Sequence, residues 1–129
     1  MTGTTASSPI LIDSSGWLEY LTSDTKADLY FPYFTGPDTL IVPTIVLYEV
    51  RKILLRKHSQ TSADVFVSEA LRHAIVPLDE MVALDSATIS IQHQLSMADA
   101  IVYTTALLHK ATLIASDDHF KGLPGVVLL

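Results

Sequence analysis

The sequence contains no cysteine. This absence excludes disulfide bonds, zinc sites built from thiolates, and any mechanism that uses a cysteine nucleophile. A chain without cysteine fits the reducing cytoplasm, and we expect the protein to act in that compartment. Any catalytic chemistry must therefore come from carboxylates, hydroxyls, histidines or basic side chains.

Long apolar runs are also missing. No segment approaches the roughly 20 apolar residues that a membrane-spanning helix needs, so we expect no contact with a membrane. Residues 1–9 are rich in Ser and Thr and carry no Lys or Arg, so we expect no signal peptide. We predict a flexible tail over residues 1–9 and one folded domain over residues 10–129.

Positive charge is scarce in this chain. Lys and Arg number 8 against 14 Asp and Glu, which gives a formal net charge of −6. A protein that binds nucleic acid over a broad face is usually basic. Any contact with nucleic acid must therefore be local, or must lie near a metal ion that reverses the local field. Hydrophobic residues make up 49% of the chain, which is enough for a folded core.

Short apolar runs alternate with longer helical patterns. The runs predict buried strands, at 10–12, 40–42, 75–78, 113–115 and 126–128. Hydrophobic periodicity predicts helices after Ser14 or Ser15, which we expect to cap the first one, and then over 26–34, 44–58, 61–73, 79–91 and 96–108. Apolar strands separated by helices indicate a mainly parallel sheet of four to five strands covered on both faces, an α/β/α sandwich of three layers.

Four acidic residues stand out by their positions relative to these elements. Asp13 directly follows the first predicted strand and Asp117 follows the fourth, and functional groups gather at the carboxyl ends of strands in open α/β sheets. Glu49 lies at the margin of the apolar stripe of its helix. Asp99 begins a helix that is apolar almost all round, where an ionised carboxylate is costly without a partner.

A divalent cation would be such a partner. Four carboxylates suit a hard cation, Mg²⁺ or Mn²⁺. Such an ion activates water and stabilises charge on a phosphate, so the acids suggest a phosphate ester as substrate.

Each acid alone also fits a purely structural role, because acidic residues are common at helix starts. Glu49 could pair with Lys52 on the helix surface. Ser96 with Asp99 fits a capping box, and Asp117 could cap the turn that follows it. Only the joint pattern of the four acids favours a functional site.

The joint pattern is recognisable. The segment ILIDSS ends a strand at Asp13, and VPTIVLYEV places Glu49 in the helix after the second strand. The segment SMADAIVYTTA begins an apolar helix with Asp99, and LIASDDHF places Asp117 just past the fourth strand. In this order the segments resemble the motifs of the PIN-domain nucleases, and within them the VapC-type toxins of bacterial and archaeal toxin–antitoxin pairs. The resemblance covers residues 10–128.

The resemblance implies a fold, an activity and partners. It implies a PIN-like sandwich, a Mg²⁺- or Mn²⁺-dependent endoribonuclease that hydrolyses RNA phosphodiester bonds, a homodimer, and inhibition by a cognate antitoxin protein whose tail fills the active-site groove. Its catalytic, metal-binding residues would be Asp13, Glu49, Asp99 and Asp117. Ser15 would make a supporting contact to metal-bound water or to phosphate.

Three departures from the family motifs touch the predicted site. Ser15 stands where asparagine is frequent, Ala115 and Ser116 replace a commoner threonine-led pair, and His119 stands where a further acid is often found. None of them removes a core carboxylate. We expect no ligand for a second metal at His119, and local turn contacts for His119 and Asp118, with contact to RNA or to metal-bound water as the alternative.

Half of the basic residues lie close to Glu49, since four of the eight Lys and Arg side chains fall within residues 51–57. A solvated helix face is the simpler interpretation. The functional alternatives are a patch that follows RNA phosphates, with Lys52 as a supporting residue, or a contact for an acidic antitoxin.

Two other functions stay open. In a phosphoacceptor receiver domain, Asp79 after the third strand would be the acceptor, although the first strand ends in a single acid and no lysine closes a late strand. A catalytically inactive PIN-fold interaction module is the second alternative, and the intact set of four acids argues against it. No motif selects the RNA, the number of metal ions or the antitoxin.

Overall fold

Residues 8–129 are described by the computed structural model of the chain. The tail predicted over residues 1–9 therefore falls mostly outside the described residues. At its end, the Pro9 carbonyl accepts a hydrogen bond of 3.0 Å from the Thr112 N–H. The hydrogen bonds of the sheet thus reach one residue upstream of the first strand.

Five short strands form one parallel sheet in the order β3-β2-β1-β4-β5. They are β1 Ile10–Ile12, β2 Leu40–Pro43, β3 Ala74–Val76, β4 Thr112–Ala115 and β5 Val126–Leu128. Every residue of β1 and β2 is buried, because helices cover both faces of a parallel sheet. This explains why the strands appear as continuous apolar runs, and the predicted sheet is confirmed.

Six helices connect the strands: α1 Ser14–Leu21, α2 Ala27–Thr35, α3 Thr44–Lys57, α4 Gln60–Ala70, α5 Glu80–His93 and α6 Met97–Leu108. Connections between parallel strands are right-handed. The chain moves from β1 through β2 to β3 in one direction and then returns across the sheet to β4. The helices α1 to α4 therefore cover one face and α5 and α6 cover the other, which confirms the three-layer sandwich.

Two of the predicted helix caps are correct, and one is not. Asp79 and Ser96 cap α5 and α6 with their side-chain oxygens, as the sequence predicts. The expectation that Ser14 or Ser15 caps the first helix is wrong. Asp13 occupies the N-cap position with extended backbone angles, so both serines lie inside α1. This shift of the helix start decides which hydroxyl faces the site.

Element bounds also differ from the sequence prediction, most of all at the end of α4. The helix predicted over 61–73 begins at Gln60 and ends at Ala70, because Ser59 caps it and the chain then turns into β3. The third strand, predicted over 75–78, covers Ala74–Val76, and Val76 pairs in register with Pro43.

Helix α1 lies unusually close to its neighbours. A Cβ atom at Gly16 would be 2.5 Å from Ile12 Cγ2 of β1 and 2.5 Å from Tyr30 Cε1 of α2. Only glycine permits this approach without displacement of a buried side chain. Trp17 follows it and is completely buried in the core beneath the sheet. This packing fixes the start of α1, and with it the residues that follow β1.

The order of the strands excludes the receiver alternative. Receiver-like folds have the order 2-1-3-4-5, in which the third strand adjoins the first. Here β3 is an edge strand and β2 separates it from β1. Asp79, moreover, is engaged as a helix cap, with its Oδ1 accepting a 3.0 Å hydrogen bond from the Val82 N–H.

Within the described part of the chain, no helix has both the length and the apolar character needed to cross a membrane.

Candidate metal centre

The site begins where the strand order reverses. From β1 the chain moves to one side of the sheet, and β4 pairs with β1 on the other side. A crevice forms at the carboxyl ends of strands at such a switch point. Asp13 follows β1 and Asp117 follows β4, so both carboxylates reach this crevice. The Asp13 N–H donates to the Ile114 carbonyl over 3.1 Å, which ties the two strand ends together.

Helices supply the other two acids. Asp99 lies in the first turn of α6, where the Ser96 Oγ accepts a 3.4 Å hydrogen bond from its N–H. Glu49 lies in α3, and its Oε1 accepts a 2.7 Å hydrogen bond from the Ser14 Oγ of α1. The pairing of Glu49 with Lys52, which would explain this acid by a structural role alone, is not found within residues 8–129.

The tightest group in the crevice consists of Asp99, Asp117 and His119. One ligand atom from each lies within 4.8 Å of the others. The His119 Nδ1 is 3.3 Å from an Asp99 oxygen and 3.2 Å from an Asp117 oxygen. The Asp117 Oδ1 also accepts a 2.9 Å hydrogen bond from the His119 N–H. The predicted local turn contact of His119 is present, and its imidazole in addition joins two acids that are far apart in sequence.

Asp13 is the buried member of the set, with 7% of its surface exposed. Burial raises its pKa to about 7, because the charged form loses its hydration. The backbone N–H of Ser14, next in the chain, lowers the pKa of Asp13, whereas the charges of Asp99, Glu49 and Asp117 raise it further. The other three predicted acids therefore lie close enough to Asp13 for their charges to act on it.

The donor set fits a divalent cation. Within residues 8–129, the Lys and Arg ion pairs are Arg51 with Asp64 and Arg72 with Glu69, so none neutralises the four acids. A buried carboxylate that has acidic neighbours and no basic partner is unfavourable as a structural feature. Oxygen ligands with one imidazole suit Mg²⁺ or Mn²⁺.

The predicted supporting residues lie in different places. Ser15 has a buried hydroxyl that makes no hydrogen bond within the described chain. Asp118 lies in the short 3₁₀ turn Asp118–Phe120, beside the site. Lys52 is on the exposed side of α3, with its Nζ 5.5 Å from the centre of the Tyr48 ring. None of these contacts involves the four acids.

The sequence did not indicate Ser14 as a residue of the site, and for His119 it predicted mainly local turn contacts. Ser14 contacts Glu49 because α1 begins one residue earlier than predicted, which turns the Ser14 hydroxyl towards α3. His119 reaches Asp99 because the 3₁₀ turn after Asp117 folds it back across the crevice. The signal for His119 was its place two residues after an acid at a strand end.

A family model for the PIN domain matches residues 10–126. The chain belongs to the PIN domain family. This membership confirms the resemblance found in the four acidic motifs. No curated protein sequence matches the chain.

Solved structures of toxin–antitoxin proteins share the fold of this PIN domain. One chain of a toxin–antitoxin complex from Klebsiella pneumoniae is 25% identical, with a TM-score of 0.77, and the match covers 92% of this chain and 95% of that one. A chain of VapBC2 from Rickettsia felis, bound to a DNA fragment from its promoter, is 14% identical with a TM-score of 0.74, and the match covers 94% and 97%. VapC20 of Mycobacterium tuberculosis, described as a toxin that cleaves the sarcin–ricin loop, is 15% identical with a TM-score of 0.70 over 80% and 85%.

Proposed function

We propose that this PIN domain is a metal-dependent endoribonuclease and the toxin of a toxin–antitoxin pair. The observation that carries the proposal is the meeting of Asp13, Glu49, Asp99 and Asp117 at one switch point, in a chain of this family. The nuclease domain spans residues 10–129 and acts in the cytoplasm.

The four acids would hold Mg²⁺ or Mn²⁺, and their remaining oxygens would help to orient a water molecule. When bound, the cation acidifies water and offsets the charge that develops on the phosphodiester. Asp99 and Asp117 are more exposed than the buried Asp13, and their oxygens lie close to the same His119 nitrogen. His119 adds a nitrogen beside them, and its position supports a direct contact with the cation.

Ser14 has a positioning role in this proposal. Its hydroxyl donates to one oxygen of Glu49 and so holds the carboxylate in one orientation. Hydrogen bonds of this kind to a ligand carboxylate keep it oriented towards a metal.

The proposed partners are an RNA substrate, a cognate antitoxin and a second copy of the chain. The Klebsiella relative is described as part of a toxin–antitoxin complex, which supports the antitoxin. A homodimer would cover the apolar side chains that α5 and the start of α6 leave in water, among them Leu84, Ile91 and Met97, which are 72%, 82% and 74% exposed.

The test is RNA cleavage by the parent protein and by Asp99→Asn. The substrate is a mixed RNA pool that includes ribosomal RNA, because the Mycobacterium relative is described as cleaving the sarcin–ricin loop. We expect the parent to cleave with Mg²⁺ or Mn²⁺ and not with EDTA. We expect Asp99→Asn to lose cleavage, by a factor of about 100 or more, while it still unfolds cooperatively.

Asp85→Asn is the matched control, because Asp85 is an exposed acid on the neighbouring helix α5. It should cleave like the parent. Cleavage by Asp99→Asn at the parental rate would refute the assignment of Asp99. A folded parent that cuts no RNA with either metal would favour the inactive interaction module.

A further inference from the structure

Helix α3 carries an exposed strip beside the metal centre. Tyr48, Lys52 and Arg56 follow one another at intervals of four residues, so they lie on one side of the helix. Together with Arg51 and Leu55 they line an open groove. The Tyr48 ring is 63% exposed and has the Lys52 ammonium near its face, 5.5 Å from the ring centre.

The strip continues directly from the proposed catalytic acids. Glu49 follows Tyr48 in the chain, and Lys52 and Arg56 come three and seven residues after Glu49, on the same side of α3. At a rise of about 1.5 Å per residue, the two cations lie about 4.5 and 10.5 Å further along the helix axis than Glu49. A chain of negative charges that leaves the crevice along α3 would meet them in succession.

The charge balance makes this strip unusual for the molecule. The chain carries a formal charge of −6, yet four of its eight basic residues lie within 51–57. Arg51 is engaged by Asp64 at 3.2 Å, whereas Lys52 and Arg56 form no ion pair within the described residues 8–129. Two cations are thus available to a ligand.

Helix-end electrostatics explain only part of the arrangement. Arg56 and Lys57 lie in the last turn of α3, where cations offset the helix dipole. The helix dipole does not explain why two apolar side chains beside the cations stay in water. Tyr48 is 63% exposed and Leu55 is 44% exposed. An aromatic face with cations beside it is the arrangement that binds single-stranded nucleic acid, through base stacking and phosphate contacts.

We infer that the RNA strand leaving the metal centre runs along α3, with one base stacked on Tyr48 and its phosphates on Lys52 and Arg56. The inference rests on the proposed ribonuclease function and names the path of its substrate. An acidic protein segment could use the same cations. RNA fits better, because the cations continue along α3 from Glu49, one of the proposed metal-binding acids, and the tyrosine presents an open ring face.

The test measures binding of a single-stranded RNA oligonucleotide in the Asp99→Asn background, so that cleavage does not interfere. Fluorescence anisotropy at several salt concentrations gives the affinity and its salt dependence. Removing both cations, with Lys52→Gln and Arg56→Gln together, should reduce the slope of log K against log salt by about 1.4, at about 0.7 for each lost phosphate contact. Tyr48→Leu should weaken binding by about fivefold to a hundredfold and leave the slope unchanged.

The matched control removes two positive charges elsewhere, with Arg72→Gln and Lys110→Gln together. Both residues are exposed and lie outside the strip, so the salt slope should stay at the parental value. Thermal melts by circular dichroism check that all variants are folded.

Equal affinities and slopes for the strip variants and the parent background would overturn the inference, and so would the absence of any RNA binding. Loss of binding to a poly-glutamate peptide, with RNA affinity unchanged, would assign the strip to an acidic protein partner and likewise overturn it. RNA binding that depends on the strip, without cleavage by the parent, would support the inference and refute the proposed function. Cleavage by the parent, together with RNA binding that does not change in the strip variants, would support the proposed function and refute the inference.

Discussion

Replacement of Asp13 by asparagine should stabilise the metal-free protein while it abolishes the response to metal. Asp13 is buried beside three other acids and has no basic partner within residues 8–129. Asparagine keeps the shape of the side chain and removes the charge that burial makes costly. The variant should also lose most RNA cleavage, because one carboxylate of the proposed metal centre is gone.

The size of the effect follows from the pKa of Asp13. An aspartate in water has a pKa of 3.8, burial raises the pKa of Asp13 to about 7 in the folded protein, and each unit corresponds to about 1.36 kcal/mol. The unfolded chain releases the proton first, so the free energy of unfolding falls as the pH rises from about 4 to about 7. At pH 8 the penalty reaches about 4 kcal/mol, which corresponds to about 10–15 °C in Tm for a domain of this size.

The measurement is thermal unfolding in EDTA at pH 4.5 and at pH 8. Asp13→Asn should exceed the parental Tm by only a few degrees at pH 4.5 and by about 10–15 °C at pH 8. Asp38→Asn is the control, because Asp38 is an exposed acid in the loop before β2 and should change neither value. A lower Tm than the parent for Asp13→Asn at pH 8 would refute the argument that the buried charge of Asp13 destabilises the metal-free protein.

Three further outcomes are expected. Millimolar Mn²⁺ or Mg²⁺ should raise the Tm of the parent at pH 8, because the cation binds only the folded site, and no shift would count against a formed site. Ser14→Ala should raise the Kd for Mn²⁺ about tenfold or more, measured by calorimetry, and a larger loss with Ser15→Ala would show that the wrong hydroxyl was chosen. Gly16→Ala should lower the free energy of unfolding by about 1–2 kcal/mol in urea, since its Cβ would overlap the side chain of Tyr30, and an unchanged midpoint would contradict this packing.

Hydrophobic patterning predicted the elements of the fold well, because burial on both faces makes each strand continuously apolar. All five strands were located, including the edge strand β5. Periodicity could not supply the order of the strands, since any strand with two apolar faces can occupy any interior position. That order is seen only in the folded structure.

The candidate site was predicted unevenly, for reasons of local geometry. Asp13 and Asp117 could be found because the carboxyl ends of parallel strands share one edge of the sheet. Asp99 could be found because an ionised carboxylate on a mostly apolar helix is unfavourable without a partner. The contact between Ser14 and Glu49 depends on where α1 begins, and a shift of one residue rotates a helical side chain by about 100°. His119 depends on a 3₁₀ turn whose direction no periodicity encodes.

The reversal of the strand order between β1 and β4 has a consequence during synthesis of the protein. The acids that meet there come from β1, α3, α6 and the end of β4, and β4 is the fourth strand to leave the ribosome. A nascent chain that has released only the first three strands lacks Asp99 and Asp117. The proposed metal centre therefore cannot assemble until the end of β4 has been made, so a partly synthesised chain lacks two of its four acids.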